Sequence, residues 1–242
     1  MKNSSCKKSG SVPVFEIPAD TRAVFIRRPN RFLALVEKDG KVLEAHVHDP
    51  GRLPDLLVPG NEVLLKYASR AGRRTSWSLL AGKAEGYWVF ANAGYHRQLS
   101  GKILSSFGKE LFKGLETFSP EPRLEGARLD YLFQMEDGVP VYVEIKGCTW
   151  ARGEEALFPD APTVRGQKHL RHLLELKRKG FGALLWILCF RKEAGCFRPA
   201  YEIDPEFARL FEEALKAGVE VRVSKLCYDG EKIYLQGELP LC

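Results

Sequence analysis

The fold is decided by two stretches joined by a turn, Arg128-Leu129-Asp130-Tyr131-Leu132-Phe133 and Val139-Pro140-Val141-Tyr142-Val143-Glu144-Ile145-Lys146. Apolar residues alternate with polar ones in both, which predicts two strands. Between them, Glu136-Asp137-Gly138 predicts the turn of a β-hairpin, since glycine accepts the left-handed conformation. A turn centred on its middle residue places Asp130 directly opposite Glu144.

Two acids that lie opposite each other repel and destabilise a sheet unless something compensates, and a divalent cation does so. Asp130 and Glu144 are therefore predicted ligands of Mg²⁺ or Mn²⁺, with the backbone carbonyl of Ile145 as a third oxygen. Lys146 then lies beside the metal-bound water, so Asp130, Glu144 and Lys146 are predicted catalytic residues for phosphodiester hydrolysis. Considered without its context, a Glu-x-Lys strand is also typical of a solvated face or a cross-strand salt bridge.

The surrounding sequence alternates helices and strands. Helical spacing of apolar residues predicts a helix over 100–115. A second helix begins after the N-cap Thr163 and ends at Lys179, and a third begins at Asp204-Pro205. The apolar run Ala183 to Phe190 predicts a strand that is buried on both faces. Residues 84–242 are therefore predicted to form an α/β domain with a mixed sheet.

The N-terminal part has a different pattern, with short strands and turns and no helical signal. Lys38-Asp39-Gly40-Lys41 predicts a tight hairpin. About five short strands over residues 14–83 favour a small β-barrel of the OB type. Residues 1–13 are polar and rich in lysine, which predicts a flexible tail.

The charge is uneven along the chain. The net charge is +6; residues 1–83 hold 15 Lys and Arg against 8 Asp and Glu, and residues 84–242 hold 22 against 23. The net charges of the two parts are therefore +7 and −1. This asymmetry points to a polyanionic partner, although a basic surface without a specific ligand accounts for it equally well.

Six cysteines are scattered through the chain, and none forms a CxxC pair. This spacing predicts neither a zinc site nor a disulfide framework, and we expect a reducing cytoplasm. No apolar run reaches the length of about 18–20 residues that a membrane helix needs. The cysteines are Cys6, Cys148, Cys189, Cys196, Cys227 and Cys242.

Basic residues stand beside aromatic ones in the barrel region, a pattern typical of proteins that contact phosphates and stack bases. Trp77 alternates with serines and is the predicted stacking residue, whereas Phe32 lies in an apolar run and is expected in the core. On the second helix, Arg165 and Lys168 either face phosphates or form a solvated face. The residues predicted to contact nucleic acid are Arg27, Arg28, Arg31, Arg70, Arg73, Arg74, Trp77, Arg165 and Lys168.

Several motifs resemble the sugar fermentation stimulation protein A (SfsA) family. They are Arg128-Leu129-Asp130-Tyr131-Leu132, Val143-Glu144-Ile145-Lys146-Gly147-Cys148-Thr149, the stretch from Leu157-Phe158-Pro159-Asp160 to Lys168-His169-Leu170, Asn30-Arg31-Phe32-Leu33, His48-Asp49-Pro50-Gly51-Arg52-Leu53, and Pro199-Ala200 with Glu202-Ile203-Asp204-Pro205. The resemblance covers nearly the whole chain. It implies an N-terminal OB-like barrel, a C-terminal PD-(D/E)XK nuclease-like domain, and DNA binding linked in bacteria to sugar (maltose) metabolism.

By this resemblance Asp130, Glu144 and Lys146 match the metal and catalytic positions, and Gln167 matches a helix glutamine of exonuclease-type nucleases. Two departures stand out. Leu129 takes the place of the motif's proline, and the stretch from His96 to Lys102 holds no acid where family members often carry a glutamate.

The leading hypothesis is a DNA-binding protein on a Mg²⁺-dependent nuclease scaffold that hydrolyses phosphodiester bonds. The alternative is a DNA-binding regulator of sugar metabolism that keeps only the fold. An RNA-binding role for the barrel is a third hypothesis. The expected partner is double- or single-stranded DNA, the sequence allows a homodimer, and His96 is placed at the mouth of the site.

Overall fold

The computed structural model describes residues 6–7, 11–68, 72, 74–124 and 127–242. Arg70 and Arg73, two of the residues predicted to contact nucleic acid, lie outside the described residues.

The N-terminal strands form a closed barrel. Their bounds are β2 Thr21–Asn30, β3 Leu33–Lys38, β4 Lys41–His46, β5 Glu62–Tyr67 and β6 Trp77–Ala84, and the preceding strand, β1 Val12–Glu16, lies outside this circle. The order is β4-β3-β2-β5-β6, and a parallel β4–β6 pairing closes the circle. The β3–β4 hairpin turns at Asp39 and Gly40, both with positive φ (52° and 74°), as a two-residue turn of this kind requires. The predicted OB-like barrel is confirmed.

The remaining elements form the α/β part. Their bounds are β7 Tyr87–Phe90, a 3₁₀ turn Ala93–Tyr95, α1 His96–Leu111, β8 Leu115–Pro120, β9 Arg123–Leu124, β10 Ala127–Arg128, β11 Tyr131–Met135, β12 Val141–Cys148, β13 Trp150–Arg152, β14 Glu155–Phe158, α2 Val164–Arg178, β15 Gly182–Cys189, β16 Cys196–Pro199, α3 Pro205–Lys216, β17 Glu220–Tyr228 and β18 Lys232–Glu238. The central strands β12, β15 and β17 run parallel, and β11 and β8 run antiparallel. The predicted mixed sheet is therefore confirmed.

This sheet is covered on both faces. Leu184, Trp186 and Leu188 of β15 face the core that also fills the barrel and packs against α1, whereas Leu185 and Ile187 face a second core under α2 and α3. Both faces exclude water, which is why the β15 sequence is apolar throughout. The predicted buried strand is confirmed.

The helix ends follow their capping residues. Thr163 caps α2 by accepting a hydrogen bond from the amide of Gly166, at 3.0 Å. Asp204 caps α3 in the same way through Phe207. The helix predicted over 100–115 instead begins at His96 and ends at Leu111, because the chain must turn at Gly114, φ 82°, to enter β8.

The two chain ends are fastened by disulfides. Cys6 is bonded to Cys227, and Cys196 to Cys242. The expectation of no disulfide framework was wrong, because partners separated by 221 and 46 residues meet only after folding. The reducing compartment inferred from it stays an expectation.

The predicted domain boundaries, at residues 13 and 83, stay predictions because one sheet runs through both the barrel and the α/β part. β7 pairs with the barrel strand β6 and also with β17, and β1 pairs with β18. Within the part of the chain that the structure describes, every helix is too short or too polar to span a bilayer.

Candidate active site

The hairpin places its two acids together. In β11 and β12, Tyr131 pairs with Val143 and Leu132 with Tyr142, so the register continues to Asp130 opposite Glu144. The amide of Asp130 donates a hydrogen bond to the carbonyl of Val143, at 3.0 Å, just before β11 begins. The sequence-based register is found in the structure.

Glu144 is buried and held by two basic side chains. Its Oε1 contacts the Nζ of Lys146 and the Nδ1 of His169, which lie 3.1 Å from each other. Burial disfavours the charged carboxylate, but the nearby charges and hydrogen bonds of Lys146 and His169 outweigh this, so the pKa of Glu144 is lowered. Glu144 therefore carries its negative charge at neutral pH.

Asp130 is also largely buried, with a different set of contacts. Its Oδ2 accepts a hydrogen bond from the backbone amide of Ile145, at 2.7 Å. Burial and the charge of Glu144 raise the pKa of Asp130. The negative charges of the two acids therefore repel each other.

Both acids open into a cavity of about 210 Å³ between α1, the hairpin and α2. Two arginines lie among the lining residues and place positive charge at the edge of the acidic floor. The lining residues are Ala93, His96, Arg97, Ser100, Asp130, Tyr131, Glu144, Ile145, Lys146 and Arg165.

His96 enters this cavity from the first residue of α1. Its ring stacks on Phe190, with centroids 5.7 Å apart, and its Nε2 is buried without a hydrogen-bond partner among the described residues. Burial and the charge of Lys146 lower the pKa of His96 to about 4, so the ring is neutral at neutral pH.

Gly147 makes room for that ring. A Cβ at this position would lie 2.2 Å from Cε1 of His96, a distance that atoms do not tolerate. The glycine after Lys146 is therefore required by the close approach of His96.

Comparison with protein families matches both parts of the chain. Residues 26–91 match the SfsA N-terminal OB domain, and residues 94–232 match the sugar fermentation stimulation protein RE domain. The chain belongs to the SfsA family. The resemblance drawn from the sequence motifs is thereby confirmed.

Relatives extend this family likeness over the whole length. The chain is 40% identical to a sugar fermentation stimulation protein homolog of Methanococcoides burtonii, over 95% of each chain. It is 42% identical to the homolog of Thermotoga petrophila, over 93% of this chain and 97% of the other. The solved structure of Pyrococcus furiosus SfsA in complex with Ca²⁺ is similar, with a TM-score of 0.87 and 31% identity over 96% of this chain and 99% of the other.

In this protein, Gln167 is not among the residues that line the cavity holding Asp130 and Glu144. Its amide Nε2 donates to Asp204 at 2.9 and 3.2 Å, and Asp204 also accepts from the amide of Thr163. Gln167 thus ties α2 to α3, and the predicted catalytic role has no support in its position. The α2 residue that reaches the acids is His169, which the sequence reasoning missed.

The two α2 residues predicted to contact nucleic acid, Arg165 and Lys168, are exposed. Arg165 lines the cavity and its Nε lies 3.4 Å from Nε2 of His169, whereas Lys168 does not line the cavity. Of the two, only Arg165 is brought to the candidate site.

In the barrel, Arg28 has a structural role. The two Nη atoms of its guanidinium donate to the carbonyls of Arg31, Asp49, Gly51 and Arg52, and its Nε is buried. These hydrogen bonds hold the loop of residues 49–52 against the barrel, and a contact of Arg28 with nucleic acid stays a prediction.

The other barrel residues predicted to contact nucleic acid differ in exposure. Arg27, Arg31 and Arg74 are exposed, and Trp77 is half-buried against Tyr67 with ring centroids 5.2 Å apart. Phe32, expected in the core, is 45% exposed. That expectation was wrong because Phe32 lies in the turn after β2, where its side chain points away from the barrel interior.

No three His, Cys, Asp or Glu side chains of the described residues form a ready metal site. The residues nevertheless fit a divalent cation. Asp130 and Glu144 supply carboxylate oxygens at one cavity, and the partnerless Nε2 of His96 is a further donor atom beside them.

Proposed function

We propose that this protein is a nuclease that binds DNA and hydrolyses its phosphodiester bonds with the help of Mg²⁺ or Mn²⁺. The observation that carries the proposal is one cavity in which Asp130, Glu144 and Lys146 meet. A pair of acids with a lysine, open to solvent, is the arrangement that this chemistry needs.

Asp130, Glu144 and the carbonyl of Ile145 would hold the cation. When bound, the cation supplies Lewis-acid activation of a water molecule and neutralises charge on the phosphate. Burial and the charge of Glu144 raise the pKa of Asp130, and a bound cation would offset the repulsion between the two acids.

Lys146 would stabilise the negative charge that grows on the phosphate oxygen. Its ammonium is held in place by Glu144 and lies 3.1 Å from Nδ1 of His169. A positioned cation of this kind needs no reorganisation when the phosphate arrives. His169 would orient both Glu144 and Lys146.

A divalent cation is supported by the similar Pyrococcus furiosus structure, which was solved with Ca²⁺. Ca²⁺ and Mg²⁺ share a preference for oxygen ligands, although Mg²⁺ requires a tighter octahedral shell. This relative therefore supports cation binding within the family, and we extend it to Asp130 and Glu144.

The DNA backbone would lie along the arginine-bearing rim. Arg165 at the cavity and Lys168 nearby on α2 would contact phosphates, as would Arg27, Arg31 and Arg74 on the barrel. Trp77 would stack on a base. Arg70 and Arg73 belong to the same proposal by sequence. Both double- and single-stranded DNA are candidate substrates.

One observation favours the alternative, a regulator of sugar metabolism that binds DNA without cleaving it. Glu144 is engaged by Lys146 and His169, which together can take the place of a cation. In such a regulator, these contacts would be permanent and metal would bind weakly.

The two functions are separated by incubating the protein with plasmid, linear duplex and single-stranded DNA, in Mg²⁺, Mn²⁺ or EDTA. We expect metal-dependent cleavage that is lost in Asp130→Asn and kept in the control Glu136→Gln, an exposed acid on the same hairpin. Binding of DNA with no cleavage in either metal would refute the enzyme and favour the regulator.

A further inference from the structure

The barrel carries a second hollow, with a volume of about 620 Å³. Its lining residues combine aromatic rings with polar and basic groups, and none of those described is an acid. They are Asn30, Phe32, Leu33, His46, His48, Arg74 and Thr75.

The floor of this hollow is a stack of rings. Phe32 is 45% exposed and lies nearly parallel to the ring of His46, at an interplanar angle of 9° and a centroid distance of 6.3 Å. His48 meets His46 edge-on, with centroids 4.4 Å apart. The exposed part of the Phe32 ring is therefore open to contact by a flat ligand, and the neighbouring histidine rings extend this aromatic surface.

Positive charge accompanies the rings. The guanidinium of Arg31 lies 4.8 Å from the centroid of Phe32, and Arg74 lines the same hollow. A flat ring next to a cation suits a ligand that is itself flat and negatively charged at one end. A nucleotide has this combination, since its base stacks on an aromatic face and its phosphate pairs with arginine.

The hollow adjoins the candidate active site through one short segment. Gly94 lies against His48, and a Cβ on Gly94 would be 3.3 Å from its Nδ1. The residues on either side of Gly94 in this segment, Ala93 and His96, line the cavity that holds Asp130.

This segment is rigid. The side chain of Asn92 accepts a hydrogen bond from the amide of Gly94 at 3.1 Å and donates to the carbonyl of Leu79 at 2.9 Å. A DNA strand that leaves the cavity would therefore reach the barrel hollow after crossing only the fixed segment of residues 92–96.

We propose that the barrel hollow binds an unpaired nucleotide, whose base stacks on Phe32 while the neighbouring DNA lies in the acidic cavity. The substrate class is then DNA with a single-stranded segment, such as a tail or a flap, rather than blunt duplex. This inference rests on the proposed nuclease function, which it deepens.

The test measures binding without cleavage, in EDTA, by fluorescence anisotropy on a duplex with a single-stranded tail and on the same duplex with blunt ends. Phe32→Ala removes the ring and should weaken binding of the tailed DNA about ten-fold, which is the loss expected for one stacked base. Blunt duplex should bind as before, and Phe32→Trp should bind the tail as well as the unchanged protein does.

The matched control is Tyr201→Ala, which removes another aromatic side chain that is 46% exposed, in the α/β part. It should leave both affinities unchanged. A fluorescent 2-aminopurine in the tail should be quenched on binding to the unchanged protein and stay bright with Phe32→Ala, because the fluorescence reports stacking directly.

Equal affinity of Phe32→Ala and the unchanged protein for tailed DNA would overturn the proposal. So would an equal loss for tailed and blunt DNA, since this would assign Phe32 to duplex contact or to folding. Neither result depends on cleavage, so failure here is distinct from failure of the nuclease proposal, which the Asp130→Asn assay decides.

Discussion

Two pairs of buried or half-buried acids lie near arginine or lysine in this protein, and they differ in the access that a ligand has to their oxygens. Asp130 and Glu144 open into a cavity. Asp49 and Asp160 lie instead between the barrel and the α/β part, and neither lines the cavity or the barrel hollow.

The oxygens of the second pair bind backbone amides. Asp49 Oδ1 accepts from Gly51 at 2.8 Å, and Asp160 Oδ2 accepts from Leu53 at 2.7 Å. Arg28 completes the arrangement by donating to carbonyls of the same loop. A close acid pair beside a basic side chain is therefore not sufficient for the proposed metal site, because a metal ion also needs access to the carboxylate oxygens.

The largest effect is expected at Lys146. Lys146→Met removes the charge held beside Glu144 and should lower the cleavage rate by about 100- to 1000-fold, as the loss of one positioned charge donor does in enzyme active sites. Single-turnover cleavage with excess protein measures it. The control Lys109→Met, on the exposed side of α1, should cleave normally; a Lys146→Met rate within a few-fold of the unchanged protein would show that Lys146 is not catalytic.

Substitutions around the second pair, Asp49 and Asp160, should lower the free energy of unfolding rather than the cleavage rate. A Cβ on Gly51 would lie 2.3 Å from Oδ1 of Asp160, whose carboxylate is held by its hydrogen bonds. Gly51→Ala should therefore lower the free energy of unfolding by about 1–3 kcal/mol, the usual cost of overpacking. Thermal unfolding measures it against Gly195→Ala, where a Cβ meets its nearest atom at 3.6 Å. Equal melting temperatures would show that the loop is not tightly held.

The second pair should also make the stability of the protein depend on pH. Burial and the charge of Asp160 raise the pKa of Asp49 to about 6, so between about pH 4 and 6 the folded protein binds a proton that the unfolded chain has lost. The folded state therefore loses stability as pH rises through this range, by up to about 3 kcal/mol. Denaturant unfolding at several pH values measures it.

The variant Asp49→Asn cannot ionise, yet its amide oxygen can still accept from Gly51. Its stability should fall less than that of the unchanged protein as pH rises from 4 to 6. Parallel pH profiles for the two proteins would contradict the raised pKa.

The smallest effect is expected at Arg165, which lies at the edge of the cavity that holds Asp130 and Glu144. Arg165→Gln removes one phosphate contact, so DNA affinity should fall a few-fold and the log–log salt slope should decrease by about 1. Arg171→Gln is the control on the same helix, since Arg171 is already paired with Glu206 at 2.6 Å. An unchanged slope for Arg165→Gln would remove Arg165 from the DNA interface.

Local signals in the sequence were sufficient to predict that Asp130 and Glu144 lie opposite each other. The Glu136-Asp137-Gly138 turn set the hairpin register, and Thr163 and Gly180 set the ends of α2. These features depend on residues close together in the chain, where turn and capping chemistry decide the structure.

Tertiary packing decided what the sequence reasoning missed. His169 meets Glu144 only because α2 lies across β12, and Gln167 turns to Asp204 because α3 packs beside it. The Asp49–Asp160 pair joins residues 111 positions apart, and no periodicity in the sequence signals such a contact. Phe32 was misplaced because an aromatic residue beside an apolar run gives the same pattern whether it points inward or outward.

The central claim is tested most directly by titrating Mn²⁺ into the protein, without DNA, by isothermal calorimetry. The unchanged protein and Asp160→Asn should both bind the ion, whereas Asp130→Asn should not. Equal Mn²⁺ affinity of Asp130→Asn and the unchanged protein, or loss of binding in Asp160→Asn alone, would contradict the assignment of the metal site to the cavity.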